Sequence, residues 1–356
     1  MEAVILVGGQ GTRLQPLTLR TPKPMLHLAG VPFLAHQVAR LAAAGVDHVV
    51  LATSYLPEVF SDYFGTGSDL GIRIDYVTED TPLGTGGGIR NVADRLASDP
   101  DAPVLVINGD VLSGHDLHAQ LDLHRRRSAA VTLHLVEVAD ARAFGCVPTD
   151  SHGRVTGFIE KSERPVTNRI NAGCYVFTRS VIDEIPAGRP VSVERETFPD
   201  LLAARAVVMG YIETSYWLDV GTPDTFVAGS SDVVRGVLVS PALAGPTGEA
   251  LVDASAVVHP SAAVSGGSAL AANVRIDADA VVDGSVLGDD VQVAAGARLT
   301  RCLVGAGARI GAGATLADAV IGDGAQIGAN NDLAAGIRIW TGAVIPDAAI
   351  RFSPLP

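Results

Sequence analysis

The chain has 356 residues, 47% of them apolar and 18% charged, a balance that excludes a disordered or fibrous protein and leaves enough apolar surface for two cored domains. A formal net charge of -13 and a pI near 5.0 exclude general affinity for nucleic acid or anionic membranes, so any anionic substrate has to be met by a few local cations or a metal. The cysteines Cys146, Cys174 and Cys302 lack the spacing of a zinc site or disulfide framework, and the apolar run 3–7 is too short for a signal peptide or membrane span; both point to a soluble cytoplasmic protein.

Up to about residue 235, short apolar runs alternate with amphipathic stretches, the pattern of β-α units around a mostly parallel, doubly wound sheet. Strands are expected over 3–7, 48–52, 72–77, 104–107 and 130–136, with further runs near Val155, Cys174 and Val207. Leu34, Val38, Leu41 and Ala42 follow helical spacing between Pro32 and Gly45 and predict a helix. Ligands of open α/β sheets bind beyond the carboxyl ends of strands, which directs attention to 8–13, 79–88 and 108–110.

The loop Leu6-Val7-Gly8-Gly9-Gln10-Gly11-Thr12-Arg13-Leu14 follows a strand. Its glycines let backbone amides close on phosphate oxygens, and Arg13 adds a permanent planar charge. By itself such a loop is equally a tight turn. It is not the dinucleotide fingerprint, since Leu14 stands where the third glycine belongs, and no GxxxxGK[ST] occurs in the chain.

The 26 basic residues comprise 24 arginines and two lysines, Lys23 between Pro22 and Pro24, and Lys161 after Glu160. A loop lysine is usually a solvated cation. Where arginine serves almost every generic role, two surviving lysines argue for a compact ammonium that a guanidinium cannot replace. Asp110 and Asp219 each lie close to a glycine. Such aspartates are often turn formers.

Residues 236–255 are rich in Pro, Gly and small residues and read as a linker. Beyond them, aliphatic residues recur at Val258, Val264, Leu270, Ile276, Val282, Leu287, Val293, Leu299, Val304, Ile310, Leu316, Ile321, Ile327, Leu333, Ile339 and Ile345, at intervals of six with three of five. That hexad is the sequence form of a parallel β-helix over 256–350. It resembles the left-handed β-helix of hexapeptide-repeat proteins. Many of these are acyltransferases with a histidine base, but the only histidine after residue 236 is His259, in the first coil.

Seven runs together resemble the nucleotide-sugar pyrophosphorylase family, in the family's order: the Gly8 to Leu14 loop, Pro22-Lys23-Pro24, Leu83-Gly84-Thr85-Gly86-Gly87, Asn108-Gly109-Asp110, Glu160-Lys161, Asn171-Ala172-Gly173 and Trp217-Leu218-Asp219-Val220-Gly221. The resemblance covers 1–235 and implies a Rossmann-like nucleotidyltransferase domain followed by the linker and the β-helix. It implies that Gly8, Gly9, Gly11, Thr12, Arg13 and Lys23 hold a nucleoside triphosphate, that Glu79, Gly84 and Thr85 face the base, and that Asn108 lies near the ribose. Gly145, Glu160, Lys161 and Asn171 would hold the sugar phosphate, and Asp110 and Asp219 a shared Mg²⁺; Arg13, Lys23, Asp110, Lys161 and Asp219 form the catalytic set.

The run 171–175 with 192–199 is most similar to mannose-1-phosphate guanylyltransferases, which implies GTP and mannose 1-phosphate as substrates. Arg195 stands where many members carry Lys, and Ser162 where Pro is usual. Other sugars or bases, a silent regulatory paralogue and an acyltransferase are the competing readings. The repeats are expected to mediate homo-oligomerisation, and truncation near Gly236 is expected to spare the phosphate-binding set.

Overall fold

A computed structural model describes residues 1–159, 161, 163–243, 245 and 248–351. The chain forms two compact units: Met1–Gly9 with Gln37–Trp217, and Gln10–His36 with Leu218–Pro356. Division in space therefore differs from division along the chain, because the stretch carrying Arg13 and Lys23 groups with the repeats.

The first unit is built on seven strands: β1 (Glu2–Leu6), β2 (His48–Thr53), β3 (Arg73–Thr78), β4 (Pro103–Asn108), β5 (Val131–Glu137), β6 (Arg169–Thr178) and β7 (Val208–Ile212). Their order is β7-β5-β6-β4-β1-β2-β3, and every pairing is parallel except those of β6 with β4 and β5. The central strands are near-continuous aliphatic runs because both faces are covered; Ala3, Val4, Ile5, Val49, Val50, Leu51, Val104, Leu105 and Val106 are all fully buried. The expected helix forms as α1 (Phe33–Ala43) and buries Leu34, Val38 and Leu41. The run near Val155 makes only isolated bridges, Thr149↔Val155 and Arg154↔Met209, because Pro148, Gly153 and Gly157 crowd it too closely for a strand to propagate.

A second helix, α2 (Gly84–Asn91), and a third, α3 (Leu117–Arg127), follow β3 and β4. Between α3 and β5 lies a buried polar layer. His115 stacks on His134 at 3.7 Å between ring centroids, and Arg40 donates to the His115 carbonyl. Burial, with the Arg40 charge as a further cause, pushes the His134 imidazolium down to about 3. Burial, then His134 and Arg40, take His115 to about 2. His124, which bonds the Thr132 hydroxyl at 3.1 Å, falls to about 4, chiefly through burial.

In the second unit the repeats form a parallel β-helix of three ladders, with strands from Ala250–Val252 to Val344–Ile345. All sixteen aliphatic positions of the hexad face one interior cluster. Each rung is bonded to the next, as in Leu303 N–H to the Ala319 carbonyl at 3.0 Å. The first strand, Ala250–Val252, falls inside the stretch expected to be linker, because Leu251 pairs with Ala269 ahead of the first hexad position. A fourth helix, α4 (Pro223–Val234), packs on the strand Ser268–Leu270. Its Ser231 backbone lies 2.7 Å from where a Cβ on Gly267 would sit, so only glycine fits that corner.

The histidine layer makes the fold acid-sensitive. Each of these rings is neutral in the fold, so its contribution is complete above the unfolded value of about 6.5 and is lost as pH falls toward the folded value. Between pH 7 and 5 each costs about 2 kcal/mol of stability. His134→Phe, which keeps a ring against His115 and cannot take up a proton, is expected to recover about 2 kcal/mol of that loss in urea titrations at the two pH values. An unaltered pH dependence in the variant would show that His134 is not the proton acceptor.

Candidate functional site

In the first unit, β1 and β4 are adjacent, so Gly8 and Gly9 leave the sheet beside Asn108, Gly109 and Asp110. The Gly9 amide donates to Ser54 Oγ at 3.2 Å. Gly109 donates to the Leu6 carbonyl at 2.8 Å, and a Cβ there would lie 2.5 Å from the same oxygen, so a side chain would push the two loops apart. Gln37, buried, donates to the carbonyls of Asn108 and Val111, each at 2.9 Å, and fixes the turn that carries Asp110.

From β6, Gly173 adopts φ 74°, and a Cβ on it would lie 2.9 Å from Asn108 Nδ2. Asn171 accepts from the Gly173 amide at 3.1 Å and donates to the Tyr175 hydroxyl at 2.7 Å, so its amide is oriented at both ends. Asn108, Gly145 and Asn171 thus meet at one cavity of about 1020 Å³, which Phe158, Glu194 and Arg195 also line. Phe158 stacks on Phe198 at 5.1 Å and gives it an apolar wall. Gly145 faces Ile159, and the Cys146–Ile159 bridge sets the chain that leads to Lys161, which is exposed. Glu160 lies outside the described residues.

The 79–88 stretch is a second focus. Gly84, at φ 70°, would place a Cβ 2.7 Å from the Val191 carbonyl, and the Gly86 amide donates to that carbonyl at 2.8 Å. The Thr85 hydroxyl accepts from the Val193 amide at 2.9 Å and donates to Glu194 Oε2 at 3.2 Å, and Ser192 Oγ donates to the same oxygen at 2.8 Å. Thr85 therefore carries a structural duty, anchoring the 192–199 run. Glu79 accepts from the Leu83 amide at 3.1 Å; burial raises its carboxyl pKa, with that amide acting in the opposite sense. Glu194 and Arg195 did not stand out as site residues in the sequence, although both lie in the run 192–199.

The second unit brings the other set together. Gly11, at φ 58°, would place a Cβ 2.9 Å from Lys23 Cβ and 3.1 Å from Thr18 Cγ2, and Thr18 donates to the Gly11 carbonyl at 2.9 Å. Lys23 is buried, its Cβ packed against the glycine loop. The turn Thr12–Leu14 closes through the Leu14 amide to the Gly11 carbonyl at 2.9 Å, burying Leu14 and leaving Arg13 exposed.

A Cβ on Gly221 would meet Arg13 Nη2 at 3.0 Å and Asp219 Oδ1 at 3.1 Å. Asp219 and Gly221 are held just ahead of α4 by a capping box, in which Thr225 N–H donates to Thr222 Oγ1 at 3.3 Å and Thr222 N–H to Thr225 Oγ1 at 3.0 Å.

Asp110 belongs to the first unit and Asp219 to the second. Among the described residues no three His, Cys, Asp or Glu side chains cluster as a metal cage. Two hard carboxylates suit a Mg²⁺ that completes its shell with water and phosphate oxygens, and do not suit a closed protein site. Nor is any described helix long and apolar enough to cross a membrane.

Residues 2–236 match the model of the nucleotidyl transferase family, and residues 246–329 match that of the GMPPB C-terminal domain. The mannose-1-phosphate guanylyltransferase of Mycobacterium tuberculosis is 56% identical over 354 residues, covering 99% of this chain and 98% of that protein. Mannose-1-phosphate guanylyltransferase 1 of Arabidopsis thaliana is 36% identical over 79% of this chain and 81% of its own length. Among solved structures, HddC from Yersinia pseudotuberculosis complexed with GMP-PN matches with a TM-score of 0.56 at 28% identity, over 65% of this chain and 98% of that one.

Gly221→Ala is expected to weaken nucleoside triphosphate binding by about 10- to 100-fold by displacing Arg13 and Asp219, with little change in Tm because the exposed guanidinium can swing aside. Calorimetric titration beside a thermal melt checks this. Wild-type affinity in the variant would mean that the crowding at Gly221 has no bearing on the ligand.

Proposed function

We infer the reaction from a premise the chain now carries: it belongs to the nucleotidyl transferase family. The protein is an enzyme that transfers the guanylyl group of GTP to mannose 1-phosphate, giving GDP-mannose and pyrophosphate. The observation that carries this is the 56% identity to a mannose-1-phosphate guanylyltransferase across almost the whole of both chains.

The attacking group is a phosphate oxygen of the sugar phosphate, already largely ionised at neutral pH with a second pKa near ~6, so no general base is needed. That oxygen forms a bond to the α-phosphorus of GTP, the bond from the α-phosphorus to the bridging oxygen of the β-phosphate breaks, and pyrophosphate leaves with the electron pair. The protein's task is in-line positioning and the offset of charge on the leaving group. We assign the triphosphate to the Gly8, Gly9, Gly11 and Thr12 loop with Arg13 and Lys23, the base to the side of Glu79, Gly84 and Thr85, and the ribose to Asn108. Gly84 acts there through its backbone, since the Thr85 hydroxyl is engaged with Val193 and Glu194.

The mannose 1-phosphate we assign to the cavity that Gly145, Asn171, Glu194 and Arg195 line, with Lys161 and Glu160 completing the sugar-phosphate set. Asp110 and Asp219 would hold the divalent cation, Mg²⁺ in this reading, which when bound offsets phosphate charge as a Lewis acid. Burial of the free cysteines Cys146, Cys174 and Cys302 accords with a cytoplasmic protein. Exposed Trp340 and Val344 near the end of the repeats favour homo-oligomer formation there.

Pyrophosphate release is to be scored for four nucleoside triphosphates against mannose, glucose, galactose and glucosamine 1-phosphates with Mg²⁺ present. GTP with mannose 1-phosphate is expected to turn over fastest, and silence across the matrix would overturn the assignment. Asp219→Asn is expected to lower kcat at least about 100-fold with the melt unchanged. Lys23→Arg should raise KM for GTP, and Lys161→Arg KM for mannose 1-phosphate. Arginine variants with wild-type constants would leave the two lysines without a special role.

A further inference from the structure

One ladder of the β-helix departs from the usual pattern. Residues Leu251, Ala269, Val286, Leu303, Val320 and Arg338 are paired in register, rung on rung. Their neighbours Leu270, Leu287, Val304, Ile321 and Ile339 belong to the interior cluster, so by strand alternation this column faces away from the coil. An outward column is ordinarily polar. Here Ala269, Val286, Leu303 and Val320 are at most 8% exposed, which means that chain outside the coil covers them.

α4 packs on the strand that holds Ala269, and a second stretch of the same compact unit meets the column at its two ends. At the first rung, Leu251 Cδ2 packs on Gly30, 2.9 Å from where a Cβ would sit. At the last rung, Arg338 Nη1 donates to the Gln15 carbonyl at 3.0 Å. Between these points Arg20 is near enough to act electrostatically on the Asp323 carboxylate. The stretch from Gln15 to Gly30 starts one residue after the Thr12–Leu14 turn and contains Lys23.

We propose that the β-helix is a positioning element of the nucleotide site, with Arg338 as a positioning residue that holds the Gln15 carbonyl and so fixes the turn carrying Arg13. The proposal rests on the reading of that turn as the triphosphate loop. It runs counter to the expectation that truncation near Gly236 spares the phosphate-binding set, because truncation removes Arg338.

The test uses the full chain and two variants of an exposed residue, Arg338→Met, which keeps the stem and loses the donors, and Arg338→Lys, which keeps one. GTP binding is measured by calorimetric titration, KM for GTP and for mannose 1-phosphate from pyrophosphate release, and folding by thermal melt. Loss of one such hydrogen bond should weaken GTP binding and raise its KM by roughly 2- to 10-fold in Arg338→Met, with KM for mannose 1-phosphate and Tm unchanged and with recovery in Arg338→Lys. A purely structural contact would move Tm and both KM values together, and that outcome overturns the proposal. Equal GTP binding by Arg338→Met and a wild type that binds GTP overturns it alone. A wild type that binds no GTP overturns the functional reading, and the positioning role with it.

Discussion

The site depends on backbone from which the side chain has been removed. Lys23 rests on Gly11, Asn108 on Gly173, Arg13 and Asp219 on Gly221, and Glu79 on Gly88, each with an atom within 3.1 Å of the point a Cβ would take. A functional side chain packed directly on a peptide plane loses rotamer freedom before ligand arrives, which lowers the entropic cost of binding. The glycines of the motifs therefore fix the side chains beside them. Gly109 serves the same end for the main chain, letting the loops after β1 and β4 close on each other through the Leu6 carbonyl.

Charge follows a similar economy. A chain with a net charge of -13 cannot attract GTP by its overall field, so binding has to come from a few cations held in fixed places. Of the two cations assigned to the triphosphate, Arg13 is exposed, whereas Lys23 is buried against Gly11, a setting in which charge interactions are less screened than in water.

Much of this was legible in the sequence because it rests on periodicity and on glycine. The sixteen aliphatic positions line the coil interior without exception, and α1 falls where its apolar spacing put it. Two features were hidden for physical reasons. Glu194 and Arg195 reach the cavity only because Ser192, Thr85 and the Gly86 amide clamp their run, contacts more than 100 residues apart for Thr85 that no local pattern encodes. The outward column did leave a trace: the aliphatic doublets Val286-Leu287, Leu303-Val304 and Val320-Ile321 recur at 17 residues, where a solvated outer face would show one aliphatic and one polar residue. The run near Val155 errs the other way, with an apolar strand signal defeated by flanking glycine and proline.

The column also sets a length along the repeat array. Rungs of a parallel ladder are spaced by about 4.8 Å, so the five steps from Leu251 to Arg338 span about 24 Å. The stretch from Gly30 to Gln15 is anchored at both limits of that span, by an apolar contact at one end and a hydrogen bond at the other. Removing one coil would bring Arg338 one rung short of the Gln15 carbonyl, and adding one would carry it past, while stacking inside the coil would be satisfied in either case. Coil number in a solenoid is free as far as its own core is concerned. Here the bond from Arg338 to the Gln15 carbonyl adds a constraint from outside the coil, on the rung at which the two meet.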